Sequence, residues 1–342
     1  MSGTLENPSL LLLRNEDELL AERILVINFA RDAFLSELRQ LNPSAEISAF
    51  SYNIADIQTV SPHLNIQTVI DTQLPQCNFD LIIYYYPKSK PEAAMMFDNI
   101  RAIADLSTRL LVVGDNKSGV KSAQKQLQDF AANCFKLESA KHCVLFEFSE
   151  LISRGSFSIS DYEICFDINV ANTQLSVISV PGVFNHGSLD QGTSLLLNHL
   201  PVFSGDILDF GCGAGIISSF IAKTNQNVSV SALDVNVLAT YSTARTFEKN
   251  GITGTTILSD GLDAVTHIYQ AIVSNPPFHT GISTDYGISE RFFKGAKKHL
   301  SKNAPLCIVA NSFLKYPPIL EQCFLSIDAS IKNNKFTIYF AR

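Results

Sequence analysis

Ile207-Leu208-Asp209-Phe210-Gly211-Cys212-Gly213-Ala214-Gly215 passes from an apolar, strand-like run into three glycines at alternate positions. A strand that turns on glycines into a helix lets backbone N–H groups approach a ligand closely, although the turn alone leaves the ligand open. Outward from this stretch, β-branched runs alternate with helical ones, the pattern of parallel strands covered by helices. Strands are expected near 206–210, 228–233, 255–258, 270–275 and 305–310, and helices near 189–200, 213–223, 235–249 and 285–301. Asn250-Gly251 reads as a helix stop. A closing pair of strands is expected near 323–331 and 335–340; Asn333-Asn334 suits a hairpin turn, which makes that pair antiparallel.

Three acidic residues stand at successive strand ends. Asp209 lies inside the first strand end, where a carboxylate meets an ammonium group well but would repel a pyrophosphate. Asp234 ends the next strand, where it can accept both hydroxyls of a ribose. Asp260-Gly261 follows the third and can read an adenine amino group. An ammonium, a ribose diol and an adenine together describe S-adenosylmethionine, with the backbone of Gly211, Gly213 and Gly215 against it. Upstream, Pro181-Gly182-Val183-Phe184-Asn185-His186-Gly187-Ser188-Leu189-Asp190-Gln191-Gly192-Thr193 reads as a lid over the methionine end, where Thr193 can cap a helix or bind the carboxylate and Asp190 can take the ammonium. His186 fits the lid and an ordinary loop equally well.

Facing this donor pocket, Ala271-Ile272-Val273-Ser274 runs into Asn275-Pro276-Pro277-Phe278. An exocyclic amine conjugated to a ring is a poor nucleophile because its lone pair is delocalised. Asn275 Oδ1 and the Pro276 carbonyl can each accept one amine hydrogen, which localises that pair and favours the positive charge developing on nitrogen. Phe278 can stack on the ring, with Pro277 shaping the loop and His279 within reach of substrate. Asn311, Phe313, Lys315 and Tyr316-Pro317-Pro318 form a candidate second wall of this acceptor pocket, with a simple loop as the alternative. Between the two, Ile288, Phe292, Ala296 and Leu300 are expected to form one apolar helix stripe. Lys294, Lys297, Lys298 and Lys302 lie opposite it, as a phosphate-tracking face or a plain solvated surface.

The 342 residues, 46% of them apolar, suffice for two packed cores. The seven cysteines are scattered and form no C-x-x-C pair, so neither a disulfide frame nor a metal site is expected. No signal or spanning segment is evident, which implies a cytoplasmic protein without membrane contact. The net charge of -7 argues against bulk nucleic-acid affinity. Most of it lies in the residues up to and including Glu150, with 13 basic and 19 acidic residues, against 13 and 14 after, so a local basic surface in the second half is allowed.

The first half repeats the plan faintly. Ile24-Leu25-Val26-Ile27-Asn28 parallels Ile207 to Gly211; Phe79 to Tyr84 parallels the run ending at Ser274; Leu110 to Asp115 parallels Leu306 to Asn311. The spacing from 24 to 51 equals that from 207 to 234, 27 residues. The chemistry differs: Val26 for Asp209, Asn28 for Gly211, Ser51 for Asp234, and Tyr84-Tyr85-Tyr86-Pro87 for Asn275 to Phe278. The reading is a duplication whose first copy kept the sandwich and lost the cofactor, 1–155, followed by a catalytic domain, 156–342, with β-rich connecting structure over 150–182.

Pro181 to Leu197, Asp209 to Gly215, Ser274 to Gly281 and Ile308 to Tyr316 resemble the RsmC family, the bacterial small-subunit ribosomal RNA guanine-N2 methyltransferases, and the likeness spans essentially the whole chain. Asn185 departs from the small residue the family often has there. The resemblance implies two tandem class I methyltransferase-like, Rossmann-type α/β domains, the second with sheet order 3-2-1-4-5-7-6 and an antiparallel last strand. It implies methylation by S-adenosylmethionine of guanine N2 in 16S rRNA (guanine-1207), in a small subunit or assembly intermediate, by a monomer whose first domain positions RNA. Alternatives are the sibling family acting on large-subunit guanine, an adenine-N6 DNA enzyme or a release-factor glutamine enzyme, both of which usually carry another aromatic where Phe278 stands, and a noncatalytic RNA-binding scaffold.

Overall fold

In the computed structural model, the described residues are 4–153, 155–184, 186–276 and 286–342. They form two compact units, Met1–Tyr162 and Glu163–Arg342.

In the first unit, α1 (Asn7–Leu13) precedes β1 (Arg23–Ile27), α2 (Phe34–Leu41), β2 (Glu46–Phe50), α3 (Ile54–Ile57), β3 (Gln67–Val69), β4 (Leu81–Tyr85), α4 (Lys90–Arg101), β5 (Arg109–Asp115), α5 (Ala123–Gln126), β6 (Ala131–Ala140) and β7 (Cys143–Leu151). The second opens on a two-stranded ribbon, β8 (Ile164–Val170) and β9 (Thr173–Ser179), followed by α6 (Gln191–Leu197), β10 (Gly205–Phe210), α7 (Ile216–Thr224), β11 (Val228–Asp234), α8 (Val237–Asn250), β12 (Gly254–Leu258), β13 (Ala271–Ser274), α9 (Tyr286–His299), β14 (Leu306–Asn311), α10 (Pro317–Leu320), β15 (Ile327–Asp328) and β16 (Phe336–Ala341).

The sheets share one topology, β3-β2-β1-β4-β5-β7-β6 and β12-β11-β10-β13-β14-β16-β15. In each, the sixth-placed strand, β7 or β16, runs antiparallel to both its neighbours, and the remaining pairs are parallel. This is the expected order 3-2-1-4-5-7-6 with an antiparallel closing strand, present twice. The central parallel strands β4, β13 and β14 are buried on both faces, which explains their near-continuous apolar sequence.

Register sharpens the internal comparison. Ile24 pairs with Ile47 and Leu81 as Ile207 pairs with Val230 and Ala271. Val26 therefore holds the place of Asp209. Asn28 (φ 56°) and Gly211 (φ 74°) both turn left-handed at the strand end, and their N–H groups donate to Phe50 O at 2.9 Å and Leu233 O at 2.8 Å. Asn tolerates this conformation better than other non-glycine residues, so the turn survives the loss of glycine. The same register corrects one correspondence by a residue: Tyr84 matches Ser274, so Tyr85, not Tyr84, holds the place of Asn275. The Tyr85 hydroxyl pairs with Ser9 Oγ of α1 at 2.9 Å in the interior, and its ring meets Phe34 edge-on with centroids 5.8 Å apart.

The ribbon β8–β9 lies along α8. Thr246 Oγ1 receives the Ile178 N–H at 2.9 Å, and Asn250 Nδ2 donates to Ser176 O at 2.7 Å. Under the other face of the sheet, Phe210 stacks on Phe292 with centroids 4.0 Å apart, among buried Ile272, Phe293, Ile308, Tyr316 and Leu320.

Three expectations need correction. Phe292 and Ala296 are buried as expected, but Ile288 is 49% exposed, and Ser289 and Phe293 take inward positions. Steps of four residues advance 40° past a full turn, so a stripe written at 288, 292, 296 and 300 rotates off the buried face. The strand expected over 323–331 shrinks to Ile327–Asp328, because Cys323 and Phe324 donate their N–H groups back to Leu320 O in a helical turn. Tyr316, expected in a pocket wall, is a core residue at 1% exposure, edge-on to Phe293. Among the described residues, no helix is long and apolar enough to cross a membrane.

Candidate functional site

Strand order reverses between β10 and β13, and the carboxyl ends flanking that switch point are where open α/β sheets take ligands. The glycine turn after β10 has φ values of 74°, 55° and 74° at Gly211, Gly213 and Gly215. At Gly215 a Cβ would lie 2.8 Å from Thr243 Cγ2 and 3.1 Å from Thr243 Cα, so α8 leaves room for glycine alone. Among the described residues Phe184 comes near Gly213, its carbonyl 3.6 Å from where a Cβ would stand. The Phe184 side chain is 61% exposed.

Asp209 is 1% exposed. Its Oδ2 accepts the Ser218 N–H of α7 at 2.9 Å, while Oδ1 has no partner among the described residues. Burial, with Asp234 nearby, pushes its carboxyl up to about 7. One backbone hydrogen bond does not offset the loss of water around a carboxylate. Asp234 accepts Gly213 N–H on Oδ2 at 3.0 Å and Asn236 N–H on Oδ1 at 3.0 Å, so it clasps the glycine turn to the end of β11; burial raises its carboxyl against these bonds. Asp260 and Gly261 follow β12, where Arg291 of α9 lies across them, its Nη2 3.4 Å from Asp260 Oδ2 and from Asp263 Oδ2. Sequence reasoning missed Arg291, since nothing in a helix pattern announces a contact 31 residues away.

The linkage at Asp209 has a definite sign. A carboxyl raised in the fold contributes stability that is full below its unfolded value near 4 and is lost as pH rises through about 7. Asp209→Asn is therefore expected to gain melting temperature over the wild type at pH 8 relative to pH 5, in donor-free protein. Parallel melting curves at the two pH values would remove burial of this charge as a cost.

At the end of β13, Ser274 Oγ donates to Phe210 O at 2.6 Å and so ties the acceptor strand to the glycine turn. Asn275 is half-buried and Pro276 buried. Asn275 Nδ2 donates to Asp190 Oδ2 at 3.0 Å and to Thr193 Oγ1 at 2.9 Å, while Asp190 caps α6 by accepting Thr193 N–H at 2.9 Å. Pro277, Phe278 and His279, together with Asn185 of the lid, lie outside the described residues. Asn311 ends the adjacent strand β14, and Phe313 beyond it is 71% exposed. The lysines are exposed, but Lys294 pairs with Glu290 at 2.5 Å and Lys297 sits 5.1 Å above the Phe324 ring. His186 Nδ1 lies 3.1 Å from Ser179 Oγ, and burial lowers its basicity. Among the described residues no cluster could hold a metal ion.

A sheet of this order, a glycine turn after its central strand and an acidic residue closing the next define a class I S-adenosylmethionine-dependent methyltransferase. The residues fit that cofactor: among the described residues Asp209 Oδ1 is a buried acceptor without a donor, and it lies at the end of the strand that enters the glycine turn.

Residues 9–163 match the family described as "Methyltransferase small domain N-terminal" and residues 174–340 the family "Methyltransferase small domain". The chain is 51% identical to the ribosomal RNA small subunit methyltransferase C of Pseudoalteromonas translucida (strain TAC 125), over 98% of this chain and 99% of that one. It is 35% identical to the protein of that name from Vibrio parahaemolyticus, over 98% of each. A solved structure of the T. thermophilus 16S rRNA N2 G1207 methyltransferase (RsmC), in complex with AdoMet and guanosine, superposes with a TM-score of 0.83 at 20% identity, covering 96% of this chain and 91% of that one. The chain belongs to the ribosomal RNA small subunit methyltransferase C family.

Proposed function

We propose that this chain transfers a methyl group from S-adenosylmethionine to the exocyclic N2 of one guanine, guanine-1207, of 16S rRNA, acting in the cytoplasm as a monomer on a small ribosomal subunit or assembly intermediate. The observation that carries the reading is the Asn275 amide held at the end of β13 beside the glycine turn, its Nδ2 end bonded to Asp190 and Thr193. The relatives' name, and the guanosine and AdoMet bound by the T. thermophilus enzyme, support the substrate class.

Bound S-adenosylmethionine supplies an electrophilic methyl group. Asp209 Oδ1 would meet its ammonium, Asp234 its ribose diol, and Asp260 with Gly261 its adenine, with the backbone of Gly211, Gly213 and Gly215 against it; Asp190 and Thr193, read from the sequence as closing its methionine end, are instead bonded to Asn275. Asn275 Oδ1 and the Pro276 carbonyl each accept one guanine N2 hydrogen, turning the nitrogen lone pair toward the donor. Much of the acceleration comes from holding two reactants in line. Phe278 stacks on the base, with Pro277, His279, Asn311 and Phe313 around it. No strong base is needed, because the nitrogen becomes acidic once alkylated.

The first domain, 1–155 as read from the sequence, takes no cofactor in this reading and helps hold the RNA. Val26 in place of Asp209, Ser51 in place of Asp234 and the buried Tyr85 ring in place of the Asn275 amide support the loss of the cofactor. The test uses purified protein, labelled donor, and unmodified small subunits, large subunits and naked 16S rRNA in separate reactions. Label is expected in small subunits, and more slowly in naked RNA. Label in large subunits alone favours the sibling activity and removes the proposal.

A further inference from the structure

An asparagine side chain has two ends of nearly equal size and opposite function. Rotation about its last bond exchanges an acceptor for a donor, and that torsion is soft and two-fold. Turned the wrong way, Asn275 would point Nδ2 hydrogens at an amine that itself carries hydrogens. Something must hold the productive state before substrate arrives.

Resting on the reading that Asn275 Oδ1 accepts an amine hydrogen, we propose that Asp190 and Thr193 are positioning residues which fix the Asn275 amide in its acceptor orientation and raise the negative charge on its oxygen. Asp190 Oδ2 lies 3.0 Å from Asn275 Nδ2, and an ionised carboxylate has no hydrogen to give, so only the NH2 end can face it. Thr193 Oγ1 lies 2.9 Å from the same nitrogen, and 3.4 Å from Asp190 Oδ2, toward which its own hydrogen points. Both Nδ2 hydrogens are thereby used. A flip would forfeit two bonds, one of them charge-assisted, and set the carbonyl oxygen against the carboxylate.

The clamp is itself held. The Thr193 N–H donates to Asp190 Oδ2 at 2.9 Å. Gly192 lies between, and a Cβ there would stand 3.0 Å from Asp190 Oδ2 and 3.1 Å from Phe336 Cε1, so the carboxylate has a close wall on one side. Thr193 is 2% exposed, which keeps water from competing for the amide. Donation from Nδ2 to an anion also shifts amide electron density onto Oδ1, the cooperative polarisation expected in a chain of hydrogen bonds. That makes Oδ1 a better acceptor as charge builds on the substrate nitrogen. The first unit shows the fold's version of this contact without the chemistry: Tyr85, at Asn275's place in the register, bonds Ser9 in the helix before β1, but a phenol offers no carbonyl beyond.

The test compares full-length Thr193→Val, Thr193→Ser, Asp190→Asn and Asn275→Ala proteins with unmodified small subunits as substrate. Turnover at saturating donor, S-adenosylmethionine Kd by calorimetry and melting temperature are read for each. Thr193→Val removes the hydroxyl at nearly constant shape, and Asp190→Asn removes the charge while keeping an oxygen to cap α6. Each is expected to lower turnover by about 10- to 50-fold with donor Kd changed less than about threefold, the signature of an interaction that matters beyond ground-state binding. Thr193→Ser is expected to recover turnover to within about threefold. Adding Thr193→Val to Asn275→Ala should cost nothing further, since residues acting through one another are not additive. If Thr193→Val does not fold, Asp190→Asn carries the comparison alone. Raised donor Kd with unchanged saturated turnover would overturn the proposal in favour of cofactor contact. Further loss in the double variant would overturn it too. If Asn275→Ala itself turns over at the wild-type rate, the acceptor reading and the clamp fall together; a loss in Asn275→Ala without one in Thr193→Val or Asp190→Asn removes the clamp alone.

Discussion

Asn275→Ala is expected to lower turnover by about 10²- to 10³-fold while S-adenosylmethionine binds within about threefold of its wild-type affinity, the range found when one preorganised polar group is removed where charge develops. The argument is positional. Asn275 follows β13, whose Val273 lies beside Asp209 in the register, and Ser274 is tied to Phe210 O, so the amide is carried by the same backbone that shapes the glycine turn. Its Nδ2 is already committed to Asp190 and Thr193. The opposite end of the amide is the acceptor. Alanine removes that acceptor but leaves Asp209, Asp234 and the turn untouched. Measured by single-turnover methylation of unmodified small subunits together with donor calorimetry, a variant with near-wild-type rate would discard the mechanism, whatever its effect on stability.

Asp234→Ala is expected to do the reverse: donor Kd rises by at least about 150-fold, as befits loss of two charged hydrogen bonds at ~1.5–3 kcal/mol each, with turnover at saturating donor changed little. Two functions are lost together. The carboxylate that would take the ribose diol disappears, and so does the clasp on Gly213 and Asn236 N–H groups that holds the turn against β11. The second loss loosens the turn before any ligand arrives. Because burial raises this carboxyl, its removal also relieves a desolvation cost, so donor-free melting is expected to fall less than donor affinity does. Unchanged donor affinity in calorimetry would refute the ribose role.

Much of the second unit was legible because its signals are local. A strand entering glycines, acidic residues at strand ends and β-branched runs follow from side-chain alternation and backbone sterics, and they place Asp209, Asp234 and Asn275 without tertiary information. The first unit was harder to read. The β6–β7 hairpin turns on Lys141 (φ 50°) and His142 (φ 63°), where the favoured residues are Asn and Gly, so the usual turn signal is missing. β6 is also largely exposed and lacks an apolar alternation. Three consecutive tyrosines hid the register of β4, since each fits either face until its neighbours are known. What could not be read at all were the contacts between distant segments: Arg291 over Asp260, and Asp190 with Thr193 on Asn275. Asp190 and Thr193 were visible as polar residues near a helix start, which suits a cofactor contact as well as a clamp. The 3.0 Å and 2.9 Å distances to one amide nitrogen are what favour the clamp.

The most direct test of the central claim is nucleoside mass spectrometry on 16S rRNA from small subunits purified without this enzyme and then treated with the wild-type protein and S-adenosylmethionine. One N2-methylguanosine, at guanine-1207, is expected to appear with wild type and to be absent with Asn275→Ala. Methylation of adenine, of a ribosomal protein, or of no residue in a preparation that binds the donor would contradict the account.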